Sequence, residues 1–181
     1  MPPSIVSVNI ARPTQFNWRG RWVRTGIFKE PVLTPVPVYR LGLEGDLQAD
    51  LNVHGGPRKA VYGYPAAHYD AWRQELPGVD MPFGFFGENL TIEGLDETGV
   101  HLGDRFRAGT AVLEITQPRE PCYKLGAKFG NARMIQRFRE SGRSGFYFSV
   151  VEEGSLQAGD IIELAGLGGR GISIAEMNAR A

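Results

Sequence analysis

The sequence predicts a mainly β fold of the α+β class, with a barrel-like core and a few short helices. The chain of 181 residues has 24 glycines and 12 prolines, so the segments between its turn residues are short. Several of these segments alternate apolar and polar residues, which is the pattern of a half-buried strand. A Gly-Asp pair, which favours turns, recurs at residues 45–46, 103–104 and 159–160. Many short strands with recurring turns favour a barrel or sandwich over a parallel α/β sheet.

The predicted strands follow one another with turn residues between them. Residues 4–10 alternate Ile, Val and small polar residues, and Ala111, Leu113 and Ile115 fall on one face of a later strand. Residues 32–39 contain two prolines, so they form at best an edge strand or an extended segment. The complete set is 4–10, 32–39, 59–64, 111–116, 146–151 and 161–164.

A first helix is predicted to begin near Pro65, because proline is preorganised for the first helical position. Tyr69, Trp72 and Leu76 then recur at helical spacing. The Pro-Gly pair at 77–78 is expected to end this helix.

Two further helices are predicted in the C-terminal half. Residues 131–140 carry apolar residues at helical spacing, and Gly142 is a plausible C-terminal stop. Residues 173–176 match a capping box, so a third helix begins there. We therefore expect one domain over 1–165, and over 166–181 a linker and the start of a C-terminal helical appendage that is cut short.

Composition excludes several classes of function. The formal net charge is +0, so the chain as a whole has no strong attraction to nucleic acid or to an anionic membrane. No apolar run is long enough to span a bilayer, and the N-terminus lacks the pattern of a signal peptide. With one cysteine and no disulfide pair, a reducing cytoplasm is the expected compartment.

The charges are unevenly distributed despite their neutral sum. Every charge from Arg12 to Lys29 is positive, and cations outnumber acids between Arg119 and Arg143. Acidic residues concentrate at 44–50 and 88–104. If the two basic segments line one cleft, the expected ligand is a small anion such as a phosphate-bearing cofactor.

Cys122, the single cysteine, is a reactive thiol, a metal thiolate or an inert core residue. Burial is common for free cysteine, but the neighbouring Pro-Arg-Glu-Pro sequence at 118–121 is poor material for a hydrophobic core. Arg119 and Lys124 would favour a thiolate if they also lie nearby in space.

Two other segments concentrate polar residues. Residues 45–62 contain Asp46, His54, a Gly-Gly pair and Lys59, where His54 is either a proton donor near neutral pH or a turn residue bonded to backbone. Residues 83–91 place glycines among three phenylalanines, which predicts a tight turn with Glu88 and Asn89 at its edge.

Five motifs occur in one order: Gly45-Asp-x-Gln-Ala-Asp50, His54-Gly-Gly-x-x-Lys59-Ala-Val, Phe86-Gly-Glu-Asn-Leu-Thr91, Gln117-Pro-Arg-x-Pro-Cys122 and Gly142-Arg143. This set resembles the MOSC domain, named after the C-terminal region of molybdenum cofactor sulfurase, and most closely its YiiM-type bacterial branch. The resemblance implies a β-barrel-like core and a molybdenum–pterin cofactor. It also implies that the cysteine binds molybdenum through its thiolate or carries sulfur.

The resemblance further implies reduction of N-hydroxylated bases such as 6-hydroxylaminopurine, with electrons from an unidentified donor protein. Neither a nucleic acid polymer nor a membrane is expected as a partner, and the chain is expected to be a monomer or a homodimer. A sulfur-transfer module with a persulfide on the cysteine and a non-catalytic cofactor carrier are the alternatives. The residues implied are Cys122 as metal ligand, His54 as acid, Arg119, Lys59, Asn89 and Arg143 at the pterin and phosphate, and Glu88 and Asp46 beside cofactor and substrate.

Overall fold

The computed structural model describes residues 1–12, 14–46, 55–169 and 171–180. In these ranges the strands are β1 Ser4–Ile10, β2 Thr14–Trp18, β3 Arg21–Thr25, β4 Glu30–Val32, β5 Val36–Tyr39, β6 Gly42–Leu43, β7 Val61–Pro65, β8 Leu90–Glu93, β9 Arg105–Ala108, β10 Ala111–Pro118, β11 Phe146–Glu152, β12 Gly154–Leu156 and β13 Ile162–Gly166. The helices are α1 Ala67–Glu75, α2 Tyr123–Lys128, α3 Arg133–Ser141 and α4 Ile174–Arg180, and a 3-10 turn covers Pro57–Lys59.

The main sheet is mixed and contains eight strands in the order β13-β9-β10-β11-β7-β8-β1-β4. Its neighbouring strands run antiparallel except β7 and β8, which are parallel. An isolated bridge between Ser4 and Ile161 brings the start of β1 beside the start of β13. The mainly β prediction is confirmed, and the sheet curls toward a barrel without closing into one.

The core has two parts. Apolar side chains of the main sheet, among them Val8, Leu113 and Phe148, fill the inside of the curled sheet. A second, aromatic cluster lies where α1 and α3 cover β7, and Trp72 stacks on Phe138 with ring centroids 6.2 Å apart. Because aromatic side chains bury large areas, this cluster fixes the helices against the sheet. The polar groups of the candidate site lie around it.

The predicted strands are observed except 32–39, which is divided into β4, an edge strand of the main sheet, and β5, the middle strand of a three-stranded sheet in the order β12-β5-β6. The first helix is displaced. Pro65 is the last residue of β7 and pairs with Ile92, and α1 begins at Ala67. Proline has no N–H to donate to a neighbouring strand. At the end of a strand this donor is not required, so the sheet tolerates proline at this position. The sequence also did not reveal the β2–β3 hairpin, β8 or α2.

The third predicted helix is α4, and it packs on the domain. The hydroxyl of Ser173 and the carboxylate of Glu176 form the predicted capping box, with the Glu176 amide donating to the hydroxyl over 3.1 Å. Ile174 is buried, and the Asn178 amide donates to the carbonyl of Gly142 over 3.2 Å. Among the described helices, none has the length and apolar character that crossing a membrane requires.

Candidate functional site

Cys122 lies directly before α2, at the end of the segment that leaves β10. Its backbone is extended, with φ −116° and ψ 171°, and its side chain makes no capping hydrogen bond to the helix. The thiol is free and only partly buried. Lys124, one of the two cations predicted near it, is buried in the first turn of α2. Cys122 is therefore partly exposed, and its thiol is not bound in a disulfide.

Arg119 is a buried cation with an unused donor. Its side chain lies over the rings of Tyr62 and Phe138, at 5.2 and 5.3 Å from their centroids. The residue is 6% exposed, and its Nη1 has no hydrogen-bond partner. A buried guanidinium with a free N–H costs free energy unless an acceptor satisfies it. This geometry suits an anion that supplies the missing acceptor.

Tyr147 connects Arg119 to the cysteine and to Lys59. Burial raises the pKa of Tyr147, the nearby Arg119 lowers it, and Cys122 raises it, so the three groups share one neighbourhood. The ammonium of Lys59 lies 5.9 Å from the Tyr147 ring centroid. Tyr147 is therefore adjacent to three of the predicted site residues, Arg119, Cys122 and Lys59, although no sequence motif indicated this tyrosine.

Arg143 is the second cation with an unused donor. Its guanidinium lies 4.6 Å from the Trp72 ring centroid, and Nη2 donates to Glu75 over 2.5 Å. The hydrogen bonds from Arg143 and then Arg137 lower the pKa of Glu75. Nη1 of Arg143 is buried without a partner.

Tyr62 ties the loop that carries Arg143 to the surroundings of Arg119. Its ring lies under the Arg119 guanidinium, and its hydroxyl donates to the carbonyl of Ser144 over 2.7 Å. Burial raises the pKa of Tyr62 well above its ordinary value, so the phenol stays protonated and remains a donor. The residue after Arg143 is thereby fixed to the ring that carries Arg119.

The buried polar atoms without a partner are concentrated in the predicted site. Within the described residues there are three such side-chain atoms, namely Nη1 of Arg119, Nη1 of Arg143 and Oε2 of Glu88. Since buried polar atoms are nearly always paired, each of these points to a missing partner. All three residues were selected from sequence motifs alone.

Glu88 does not sit at the edge of its turn, as the sequence predicted, but is 0% exposed. Its Oε1 accepts hydrogen bonds from the Tyr69 hydroxyl at 2.5 Å and from the Gly84 amide and Thr91 hydroxyl, both at 2.8 Å. Burial raises the pKa of Glu88, and these hydrogen bonds oppose that shift. Gly84 has φ +87°, and a Cβ there would lie 2.8 Å from the carbonyl oxygen of Lys29. The turn thus folds inward around the carboxylate and requires glycine.

Asp46 and Asn89 form an internal polar link. Asp46 Oδ1 accepts from the Lys29 ammonium at 2.5 Å and from the Ala11 amide at 2.9 Å. The Asn89 amide donates to Asp46 Oδ2 over 2.7 Å, and its Oδ1 accepts the backbone N–H of Tyr62 at 3.0 Å. Both side chains therefore hold backbone in place, and Asn89 holds the strand that carries Tyr62.

Lys128, at the end of α2, is where the two basic segments meet. Its ammonium donates to the carbonyl of Ile27 over 3.1 Å and lies 4.6 Å from the Phe85 and 5.1 Å from the Phe28 ring centroids. Burial lowers the pKa of Lys128 to about 8. No sequence motif pointed to this lysine.

His54 lies in the segment 47–54, outside the described residues, so its role as an acid stays a prediction. Over 1–12, 14–46, 55–169 and 171–180, no three His, Cys, Asp or Glu side chains group as metal ligands. A metal at Cys122 would thus have fewer than three such ligands from this part of the chain and would need a carrier group to supply others. A soft thiolate beside unpaired guanidinium donors fits a metal held by a phosphate-bearing cofactor.

Comparison with known proteins places the chain among characterised folds. A family model described as the MOSC domain matches residues 50–163. The chain is 45% identical over 171 residues to the uncharacterised protein YflK of Bacillus subtilis, covering 94% of this chain and 77% of that protein. It is 34% identical over 148 residues to a reductase of Gibberella moniliformis, covering 80% of this chain and 26% of that protein. The crystal structure of YiiM from Geobacillus stearothermophilus superposes with a TM-score of 0.81 at 37% identity, covering 98% of this chain and 82% of that one.

Proposed function

Because the chain belongs to the MOSC domain family, we propose that it is an oxidoreductase that binds the molybdenum cofactor and reduces N-hydroxylated nucleobases and related compounds. The family and its YiiM members support a function connected with the molybdenum cofactor. The relative named a reductase supports oxidoreductase chemistry. The substrate class rests on the resemblance to the YiiM-type branch.

One observation carries the proposal. Two guanidinium groups, of Arg119 and Arg143, each keep one buried N–H donor without a partner, and Arg119 is a neighbour of the single thiol. Charge-assisted bonds from such donors to a phosphate are strong, because donor and acceptor are both ionised. Cys122 would supply the thiolate ligand, while Arg119, Arg143 and Lys59 would hold the pterin and its phosphate.

The reaction breaks one N–O bond. A hydroxylamine R–NHOH takes up two electrons and two protons and gives the amine R–NH₂ and one water molecule. When bound, the cofactor supplies the two-electron redox chemistry that amino-acid side chains lack. The protein's own residues would bind the cofactor and deliver protons. We assign to His54 the donation of a proton to the departing oxygen.

The remaining predicted residues act through their neighbours. Asp46 orients Asn89, and Asn89 fixes the backbone of Tyr62 beneath the Arg119 guanidinium. We therefore assign Asp46 and Asn89 to positioning the anion-binding donors. Glu88 contributes a negative charge within the field of Lys128, since it opposes the lowering of the Lys128 pKa by burial.

The partly exposed, uncommitted thiol of Cys122 also suits a sulfur carrier, which is the second candidate function. That function requires a persulfide on Cys122 and no bound metal. A carrier that holds the cofactor without catalysing a reaction is the third possibility.

A single preparation separates these functions. The chain is purified from a host that makes the molybdenum cofactor and is incubated with 6-hydroxylaminopurine and reduced methyl viologen. A reductase forms adenine, and Cys122→Ala abolishes this activity while the exposed control Arg139→Met retains it. Bound cofactor without adenine would leave only the carrier function. A labile mass gain of one sulfur atom on Cys122, without molybdenum, would replace the reductase by the sulfur carrier.

A further inference from the structure

The β2–β3 hairpin is a basic element that the proposed site does not use. Between residues 12 and 29 the chain has five cations, Arg12, Arg19, Arg21, Arg24 and Lys29, and no acid. The hairpin forms its own two-stranded sheet, separate from the main sheet. Its turn contains Arg19 and Gly20, both with positive φ.

The two faces of the hairpin differ. Phe16 pairs with Val23 on the inner face, and the Phe16 ring contacts Phe28 edge to face at 5.7 Å. Alternation places the pairs Gln15–Arg24 and Asn17–Trp22 on the outer face. Trp22 is 72% exposed, and Arg24, two residues further along the strand, lies on the same outer face, whereas Arg21 pairs with Trp18 and falls on the inner side.

The charges of the hairpin are not neutralised within the described chain. Arg12, Arg19, Arg21 and Arg24 are exposed, and none has a carboxylate of the described residues within ion-pair distance. Six other arginines do have such a partner, namely Arg73, Arg105, Arg107, Arg137, Arg139 and Arg143. Four such arginines lie within residues 12–24, whereas the other exposed arginines that lack such a carboxylate in the described chain, Arg40, Arg58, Arg133 and Arg180, are scattered. Positive charge is therefore concentrated at this hairpin, although the whole chain is neutral.

A continuous set of contacts joins the hairpin to the candidate site. Phe16 packs on Phe28, and the Lys128 ammonium lies over the Phe28 ring and bonds to Ile27. Lys128 ends α2, and Cys122 directly precedes that helix. Six helical residues rise about 9 Å, so the base of the hairpin lies one short helix away from the thiol.

We propose that the outer face of the β2–β3 hairpin docks an acidic electron-transfer protein. The proposal rests on the reductase function, because that reaction consumes two electrons per N–O bond, which the donor loses as it is oxidised. Encounters between redox proteins bury small areas and depend on complementary charge, and a hairpin of two five-residue strands offers a surface of that kind. Trp22 with Arg24 on the same face has the composition of an interface hot spot.

A protein is a better match than a nucleic acid as the partner of this hairpin, because the basic surface of the hairpin is short. A strand-binding surface needs a groove of positive charge that follows the phosphate backbone over several nucleotides. Four exposed arginines without an ion-pair partner among the described residues instead lie within the short segment 12–24 of a chain with net charge +0. Nucleic acid and membrane are therefore alternative outcomes of the test.

The test compares charge reversal on the hairpin with the same change elsewhere. Arg19→Glu combined with Arg24→Glu alters the turn and the outer face of the hairpin, and Arg40→Glu combined with Arg180→Glu is the matched control at exposed arginines outside it. The probes are an oxidised acidic flavodoxin, a single-stranded DNA oligonucleotide and phosphatidylserine-containing vesicles. Circular dichroism verifies that both variants fold.

Flavodoxin is expected to bind the wild-type chain at low salt, and more weakly at about 0.15 M salt. Its Kd should rise at least about tenfold in the hairpin variant and remain within about twofold in the control. Absent flavodoxin binding, equal effects in both variants, or tighter binding to the oligonucleotide or the vesicles would overturn the proposal.

Turnover measured with two different electron donors distinguishes the docking proposal from the proposed reductase function. With reduced methyl viologen, which needs no docking surface, the hairpin variant should reduce 6-hydroxylaminopurine at the wild-type rate. With reduced flavodoxin its KM for flavodoxin should rise at least about tenfold. No reduction with methyl viologen by any variant would refute the reductase function alone, since the binding measurement still decides the docking.

Discussion

Replacing Arg119 by methionine is expected to weaken anion binding at the site and to leave the ligand-free fold about equally stable. The two effects have separate causes in the structure. The guanidinium is 6% exposed and its Nη1 is unpaired, so the ligand-free protein bears the cost of a buried donor. Methionine keeps much of the volume and contacts rings well, but it has no charge and no donor.

The magnitudes decide the direction for the ligand-free protein. Removing the unpaired buried donor recovers about 1–3 kcal/mol. Losing the contacts with the Tyr62 and Phe138 rings costs about 1–2 kcal/mol each. The two contributions are similar and opposite, so the free energy of unfolding should change by less than about 2 kcal/mol.

The effect on a bound phosphate has no such compensation. A hydrogen bond to a charged group contributes about 1.5–3 kcal/mol, which corresponds to about 10- to 100-fold in affinity. Inorganic phosphate serves as the probe, and its Kd is obtained from the concentration dependence of the melting temperature. Arg139→Met is the matched control, because Arg139 is exposed and pairs with Glu120 at the surface over 3.4 Å.

Two results would contradict a role of Arg119 in anion binding. A loss of more than about 3 kcal/mol in unfolding free energy, with unchanged phosphate affinity, would make Arg119 a structural cation only. Equal losses of phosphate affinity in Arg119→Met and Arg139→Met would show a general effect of net charge.

Two buried titratable groups predict how stability depends on pH. Burial raises the pKa of Glu88 above its ordinary value of 4.5. The contribution of Glu88 to the free energy of unfolding is therefore complete below pH 4.5 and declines as the pH rises through the folded-state pKa. In urea titrations, Glu88→Gln should lack this decline. Burial lowers the pKa of Lys128 from 10.5 to about 8, so the free energy of unfolding should increase as the pH rises through that interval. Lys128→Met should lack this increase. An equal dependence of the unfolding free energy on pH in the variant would contradict the assignment of the effect to Lys128.

Local patterns predicted the parts of the fold that local forces determine. Alternation located β1 and β10, and the capping box located the start of α4. Gly142 ends α3 in the left-handed conformation, with φ 68°, as a glycine after a helical pattern predicts. These features depend on a few neighbouring residues, so they are visible in one sequence.

Features that depend on tertiary contacts were missed. The inner face of the β2–β3 hairpin is only half covered, so its strands show weak alternation. Glu88 was expected at an edge because carboxylates usually face water. Its burial depends on donors from Tyr69 and Thr91, which only the folded chain brings together.

The residues that the motifs selected differ in how their polar atoms are paired in the structure. Arg119 and Arg143 carry unpaired donors, whereas the polar atoms of Asp46 and Asn89 bind backbone and each other. Tyr62 and Tyr147 lie next to Arg119 but carry no sequence signal, because aromatic residues on strands are common in any core.

The central claim is that Cys122 binds the molybdenum of a cofactor whose phosphate the arginines hold. The most direct test measures molybdenum and pterin in wild-type chain and in Cys122→Ala, both purified from a host that makes the cofactor. The wild type should contain both in equal amounts, and Cys122→Ala should lose the molybdenum. Equal molybdenum in the two proteins would contradict the claim that this thiol is the metal ligand.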